Sequence, residues 1–124
     1  MTREEKINLA RNSSTPPEIL TELSRDKITG VRQAVAQNTS TPPEVLAELA
    51  RDRHWSVRWR VAQNTLTPPE ILTELSRDRD NDLRWYVARN PSTPPEVLLI
   101  LVVDNDEYVR EEAESNLRRR ILRP

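Results

Sequence analysis

The chain predicts an all-α fold, a short right-handed α-solenoid of about four two-helix repeats with no β-sheet. Three observations predict it. The tetrad Thr15-Pro16-Pro17-Glu18 returns at Thr41, Thr67 and Thr93, a spacing of 26 residues each time with no insertion. Other columns keep step with it: Asp26, Asp52, Asp78 and Asp104; Arg32, Arg58, Arg84 and Arg110; Asn38, Asn64, Asn90 and Asn116. Between these marks the apolar residues recur at intervals of three and four, the period of a helix, and Phe is absent. One such unit cannot bury its own apolar stripe, whereas stacked units share a continuous core.

Taken in order, residues 1–14 form an N-terminal half-repeat cap, in which Glu5 and Lys6 occupy the columns held elsewhere by Val and Arg. Residues 15–40, 41–66 and 67–92 are full repeats, and 93–124 combine the last repeat with a C-terminal cap. Each repeat opens with segment A. Its threonine is expected to be the N-cap, its prolines to fill the first two helical positions and its glutamate to complete a capping box. The apolar stripe of segment A follows as Ile19, Leu20 and Leu23, then Val45, Leu46 and Leu49, Ile71, Leu72 and Leu75, and Val97, Leu98 and Leu101. Segment B carries Val31 and Val35, Val57 and Val61, Leu83 and Val87, Val109 and Ala113. Its closing asparagine is expected to adopt the left-handed conformation that often ends a helix. The last segment B is strongly charged, with Glu112, Glu114 and Arg118 to Arg120.

Composition narrows the function classes. The 124 residues suit a single repeat domain, and with no cysteine there is no disulfide, thiolate metal site or cysteine nucleophile. One histidine, His54, cannot build a metal site alone, and one glycine, Gly30, cannot form a phosphate-cradling loop. Asp78-Arg79-Asp80-Asn81-Asp82 imitates the start of a calcium loop, but Leu83 stands where the turn glycine belongs and Arg89 where the bidentate glutamate belongs. No acid–base pair is spaced for catalysis, so no enzyme, no cofactor and no metal are expected. Lys and Arg number 19 against 20 Asp and Glu, and a net charge of −1 gives no global field toward nucleic acid or an anionic membrane. Met1 to Lys6 is polar, and the longest apolar run, Val97 to Val103, falls far short of the roughly 20 residues that span a bilayer. A cytoplasmic protein with no membrane partner is the expectation.

These columns resemble the leucine-rich repeat variant family, whose repeat has the form Val-Arg-x-x-Val-Ala-x-Asn-x-x-Thr-Pro-x-x-x-Leu-x-x-Leu-x-x-Asp, a pattern that residues 57–78 follow. The resemblance extends over residues 5–118. It implies a right-handed superhelix in which α-helices alternate with 3₁₀-helices. An iron–sulfur module found beside such repeats needs cysteines and does not carry over. The family offers no shared catalytic residues to transfer.

Three sets of residues stand out against this background. The Arg column could be a ladder for phosphates, but it is matched by the Asp column six residues earlier, and ion pairing across a turn accounts for both. The five aromatic residues, Trp55, Trp59, Trp85, Tyr86 and Tyr108, all lie in segment B or the turn before it. With Val57 and Val61 on the core side, steps of about 100° put Trp59 and Gln63 on the opposite face, Trp55 one turn before them. Trp85 is the copy of Trp59, with Tyr86 and Arg89 beside it, and the column reads Gln33, Trp59, Trp85, Glu111. Two readings stand side by side: a partner surface made of Trp55, Trp59, Arg60, Gln63, Trp85, Tyr86 and Arg89, or rings laid over neighbouring helices as packing. Finally, Leu99, Ile100 and Val103 place apolar side chains on the outer face of the last segment A. Either Leu117, Ile121 and Leu122 fold back over this patch, or a second chain covers it and makes a homodimer.

The resulting expectation is a non-enzymatic scaffold that binds a protein or peptide through the aromatic and arginine face of segment B. The alternatives are a nucleic-acid-binding helical repeat protein and a purely structural or oligomerising module. Near-zero net charge and the acidic stretch Glu111–Glu114 weigh against nucleic acid. Periodicity leaves open which segment lines the concave side.

Overall fold

A computed structural model describes residues 1–122 of the chain. Among the described residues there are nine α-helices and no strand: α1 (Arg3–Arg11), α2 (Pro17–Leu23), α3 (Thr29–Gln37), α4 (Pro43–Leu49), α5 (Trp55–Gln63), α6 (Pro69–Leu75), α7 (Asn81–Arg89), α8 (Pro95–Leu101) and α9 (Glu107–Ile121). The even helices are segment A and the odd helices segment B, as the 26-residue period predicts. Each segment B helix packs directly on the segment B helix of the next repeat, while the segment A helices rest chiefly on the segment B helices beside them. Val31, Val35, Val57, Val61, Leu83, Val87 and Val109 are buried with Leu20, Leu46, Leu75 and Leu98 in one cluster, so one core runs the length of the stack. Burying each such side chain contributes about 1.5–3 kcal/mol, which a lone repeat could not gather.

The helix ends differ from the expected chemistry. Segment A begins at the second proline, with Pro16, Pro42, Pro68 and Pro94 in extended conformation at the N-cap and no side-chain cap. A residue that precedes proline is pushed out of the helical region, so both the threonine and the first proline are held extended and the capping box cannot close. The threonine serves the helix before it instead. Thr41, Thr67 and Thr93 are buried and donate to the carbonyls of Val35, Val61 and Val87 at 2.6, 2.7 and 2.6 Å. The capping box that does form lies in α1, between Thr2 and Glu5. Both segments are α-helical; 3₁₀-type bonds are confined to ends, such as Arg25 N–H to Glu22 and Asp26 N–H to Leu23, both 3.1 Å. The alternation of α- and 3₁₀-helices implied by the resemblance is therefore not present among the described residues.

The asparagines are not left-handed. Asn38, Asn64 and Asn90 close their helices in extended conformation, and no non-glycine residue has positive φ among the described residues. Each is buried and sends its side-chain amide into the preceding repeat. Asn64 Nδ2 donates to the carbonyls of Ala36 and Asn38 at 2.9 and 3.3 Å, and Asn90 and Asn116 repeat the pattern on Ala62 and Asn64 and on Ala88 and Asn90. Ala36, Ala62 and Ala88 are fully buried, and a bare methyl group permits that approach. These bonds satisfy carbonyls that a helix C-terminus otherwise leaves orphaned.

The Arg and Asp columns pair across repeats rather than within one. Arg32 Nε donates to Asp52, Arg58 to Asp78 and Arg84 to Asp104, at 2.8, 2.9 and 2.9 Å. Six residues earlier the partner is the aspartate's carbonyl, as for Arg58 Nη1 on Asp52 O at 2.7 Å. Lys6 fills the same role on Asp26 at 2.9 Å, which is why α1 behaves as a half-repeat. Burial works to raise the Asp52 carboxyl, but hydrogen bonds from Arg32 and from the His54 backbone hold it below the ordinary carboxylate range. The Lys6 hydrogen bond and the Ile28 N–H lower Asp26 likewise.

Candidate functional site

The site is set by helical phase. Val57 and Val61 in α5, and Leu83 and Val87 in α7, are buried in the core, which turns Trp59 and Trp85 to the far side of their helices. Trp55 stacks on Trp59 with ring centroids 6.5 Å apart and planes 22° from parallel. Trp59 reaches the next repeat and stacks on Tyr86 at 4.8 Å and 29°. Tyr86 in turn meets Trp85 edge-on at 5.0 Å and 88°. Four rings thus form one continuous run over two repeats. Above it lie two cations, Arg60 over the Trp59 ring at 4.0 Å and Arg89 over Trp85 at 5.2 Å.

The rings take a position between the two sequence-based readings. Trp55 is 55% exposed, whereas Trp59, Trp85 and Tyr86 are half-buried and also pack against the core. They contribute to the stack with one side and present the other. Gln63 and Arg89 are exposed. Arg60 donates from Nη1 to Gln63 Oε1 at 3.3 Å, while its Nε is buried and has no hydrogen-bond partner among the described residues. Leaving a buried donor unpaired costs about 1–3 kcal/mol. Neither Arg60 nor Arg89 forms an ion pair among the described residues.

Beside the rings, clefts repeat along segment B. One of about 260 Å³ is lined by Gln37, Thr39, Arg60, Gln63, Asn64 and Thr65. The next, about 300 Å³, shares Gln63 and Thr65 and adds Tyr86, Arg89, Asn90 and Pro91. Gln37, Thr39 and Thr65 were not singled out from the sequence. The signals that could have found them are two exposed columns, Arg11, Gln37, Gln63, Arg89 and Ser13, Thr39, Thr65, Pro91, one residue of each per repeat. The fifth aromatic residue, Tyr108, is exposed in a separate cleft with Asn81, Asp82, Trp85 and Asp106. There the Asn81 side-chain amide and the Val109 N–H hold the Asp106 carboxyl below its ordinary range.

The second candidate patch stands open. Leu99, Ile100 and Val103 are 61, 59 and 77% exposed, and the fold-back expected to cover them does not occur, because Ile121 and Leu122 are themselves exposed. The reason lies in α9. It continues helical for 15 residues, Leu117 packs on the core, and Arg120 donates to the carbonyls of Thr93 and Pro91, tying the helix end to the 90–93 loop. The calcium-like run is spent on turns, with Asp80 N–H on Asp78 Oδ1 and Asp82 N–H on Asp80 Oδ1. His54 is exposed at the start of α5.

Comparison with known proteins bears on the repeat itself. Residues 29–54 match the leucine rich repeat variant family model. The recognition drawn from the columns holds for this unit, and the columns that mark it recur at 26-residue spacing in the other copies. The matched unit runs from α3 through α4, cutting the period at a different turn from the 15–40 division. A crystal structure of an engineered protein, a Northeast Structural Genomics Consortium target, is similar at TM-score 0.56 and 21% sequence identity, covering 92% of this chain and 70% of that chain. At that identity the likeness speaks for the fold alone. No curated protein matches. Among the described residues no helix is long and apolar enough to cross a membrane.

Proposed function

We propose that this leucine rich repeat variant array is a non-enzymatic scaffold that holds a protein or peptide segment across α5 and α7. Trp55, Trp59, Arg60, Gln63, Trp85, Tyr86 and Arg89 are its contact residues. The observation that carries the reading is the run of four touching rings, three stacked and the fourth edge-on, crossing from one repeat to the next beneath two arginines. Trp, Tyr and Arg are the side chains that dominate binding hot spots, and here they are fixed before any partner arrives. Little side-chain entropy is then lost on association. Direct packing among the segment B helices, against sparse contact among the segment A helices, favours curvature toward segment B. On that geometry the aromatic face lies on the concave side, where a partner meets several repeats at once.

A selection from a displayed library of random twelve-residue peptides tests this. The expected outcome is enrichment on the wild-type protein that is lost on the folded Trp59→Ala and Trp85→Ala variants. Absence of enrichment, or binders that ignore both substitutions, contradicts the reading.

A further inference from the structure

Three adjoining clefts run along segment B, and the charge on their walls has one sign. The first is lined by Arg11, Ser13, Ala34, Gln37, Asn38 and Thr39. It shares Gln37 and Thr39 with the second, which holds Arg60, and the second shares Gln63 and Thr65 with the third, which holds Arg89. Each cleft therefore carries one arginine, and no carboxylate lines any of them. None of the three arginines is in an ion pair among the described residues, although the other arginine column is paired at every step from Arg32 to Arg84. Arg60 and Arg89 lie over the rings beneath them, and among the described residues the Arg60 guanidinium has only one long hydrogen bond, to Gln63. Gln37 and Gln63 stand exposed between the arginines, with an amide donor and acceptor each.

Resting on the partner face proposed above, we infer that this trough takes an extended, acidic peptide segment. Its carboxylates meet Arg11, Arg60 and Arg89, and its backbone meets Gln37 and Gln63. In extended chain alternate side chains share one side, which presents the carboxylates of every second residue to the arginines. A nucleic acid fits less well. Beyond Arg89 the next cleft is lined by Glu111, Glu114, Ser115 and Arg118, with Arg118 already paired to Glu114, and a continuous polyanion laid along segment B would run into its carboxylates. A peptide with two or three acids ends before that point.

The test uses four fluorescein-labelled probes: decapeptides alternating Glu with Leu, Gln with Leu and Lys with Leu, and a ten-nucleotide oligothymidylate. Anisotropy is read on the wild-type protein, on Arg60→Gln and Arg89→Gln, and on the control Arg25→Gln, an exposed arginine at the end of α2. The expected result is binding of the Glu–Leu peptide about tenfold tighter than the Gln–Leu peptide, weakened about fivefold by Arg60→Gln or by Arg89→Gln and unchanged by Arg25→Gln. Circular dichroism confirms that each variant is folded, and the exposed Arg89 provides the arm least able to disturb the stack. Equal or tighter binding of the Gln–Leu or Lys–Leu peptide overturns the acidic preference while leaving the face itself in place. Tighter binding of oligothymidylate, falling steeply with salt, overturns it in favour of phosphate. No binding of the Glu–Leu peptide overturns it too, and the peptide-display selection then decides separately whether the face binds at all.

Discussion

The seam between repeats and the face of α5 and α7 both consist of polar and ring-bearing side chains placed by the same 26-residue period, yet they repeat in opposite ways. At the seam the full repeats are the same, and the N-terminal copy differs only in carrying Lys6 in the arginine column. Asn64 binds the carbonyls of Ala36 and Asn38, Asn90 those of Ala62 and Asn64, and the arginines reach the aspartate of the next repeat in register. A residue whose partner is the neighbouring copy has to be the same in each copy. On the face the equivalent positions read Gln33, Trp59, Trp85 and Glu111, and Ala34, Arg60, Tyr86 and Glu112. Stacking asks for no one residue type there, so these positions vary from repeat to repeat.

The sharpest way to break this comparison is to remove one seam partner. Arg58→Ala strands Asp78 and the Asp52 carbonyl, and is expected to lower stability by about 3–5 kcal/mol in urea unfolding. A loss below about 1 kcal/mol would put the seam among ordinary surface ion pairs. Asn64→Ala leaves the Ala36 carbonyl unpaired and takes one of two donors from the Asn38 carbonyl, which keeps the Thr41 N–H, and is expected to cost about 1–3 kcal/mol by the same measurement. Acid acts on the same seam. Asp26 and Asp52 titrate below their unfolded-state range, so the unfolded chain binds more protons as pH falls. Their contribution is complete above about pH 4 and is lost as pH drops through the folded-state values, which a fall in thermal midpoint across that window would register. The smallest effect belongs to the face: Arg89→Gln should change stability by no more than about 0.5 kcal/mol, because an exposed side chain without an ion pair is absent from the stack. A loss as large as that of Asn64→Ala would remove the distinction between seam and face.

The period, the helix assignments and the core columns were legible because each follows from spacing within one repeat. The seam was legible only as a set of columns. An aspartate lies both six residues before and 20 residues after Arg32, Arg58 and Arg84, and a periodic sequence does not say which one a guanidinium reaches. The asparagine bonds join residues 26 and 28 apart, beyond any local motif. Thr41 was misread for a local reason, since the two prolines after it hold the chain extended. On the face, helical phase set Trp59 and Trp85 opposite the core residues but did not set how far the rings are buried. Their meeting through Tyr86 depends on how closely α5 and α7 stack, which phase does not encode.

Whether the face is half-open beneath its two arginines can be measured directly, by tryptophan quenching with acrylamide, iodide and caesium in the Trp55→Phe background. Trp59 and Trp85 should then be quenched by acrylamide to an intermediate degree, and more strongly by iodide than by caesium, because Arg60 and Arg89 lie over the rings. Rings shielded from all three quenchers, or quenched better by caesium, would contradict the account and make the aromatic run packing alone.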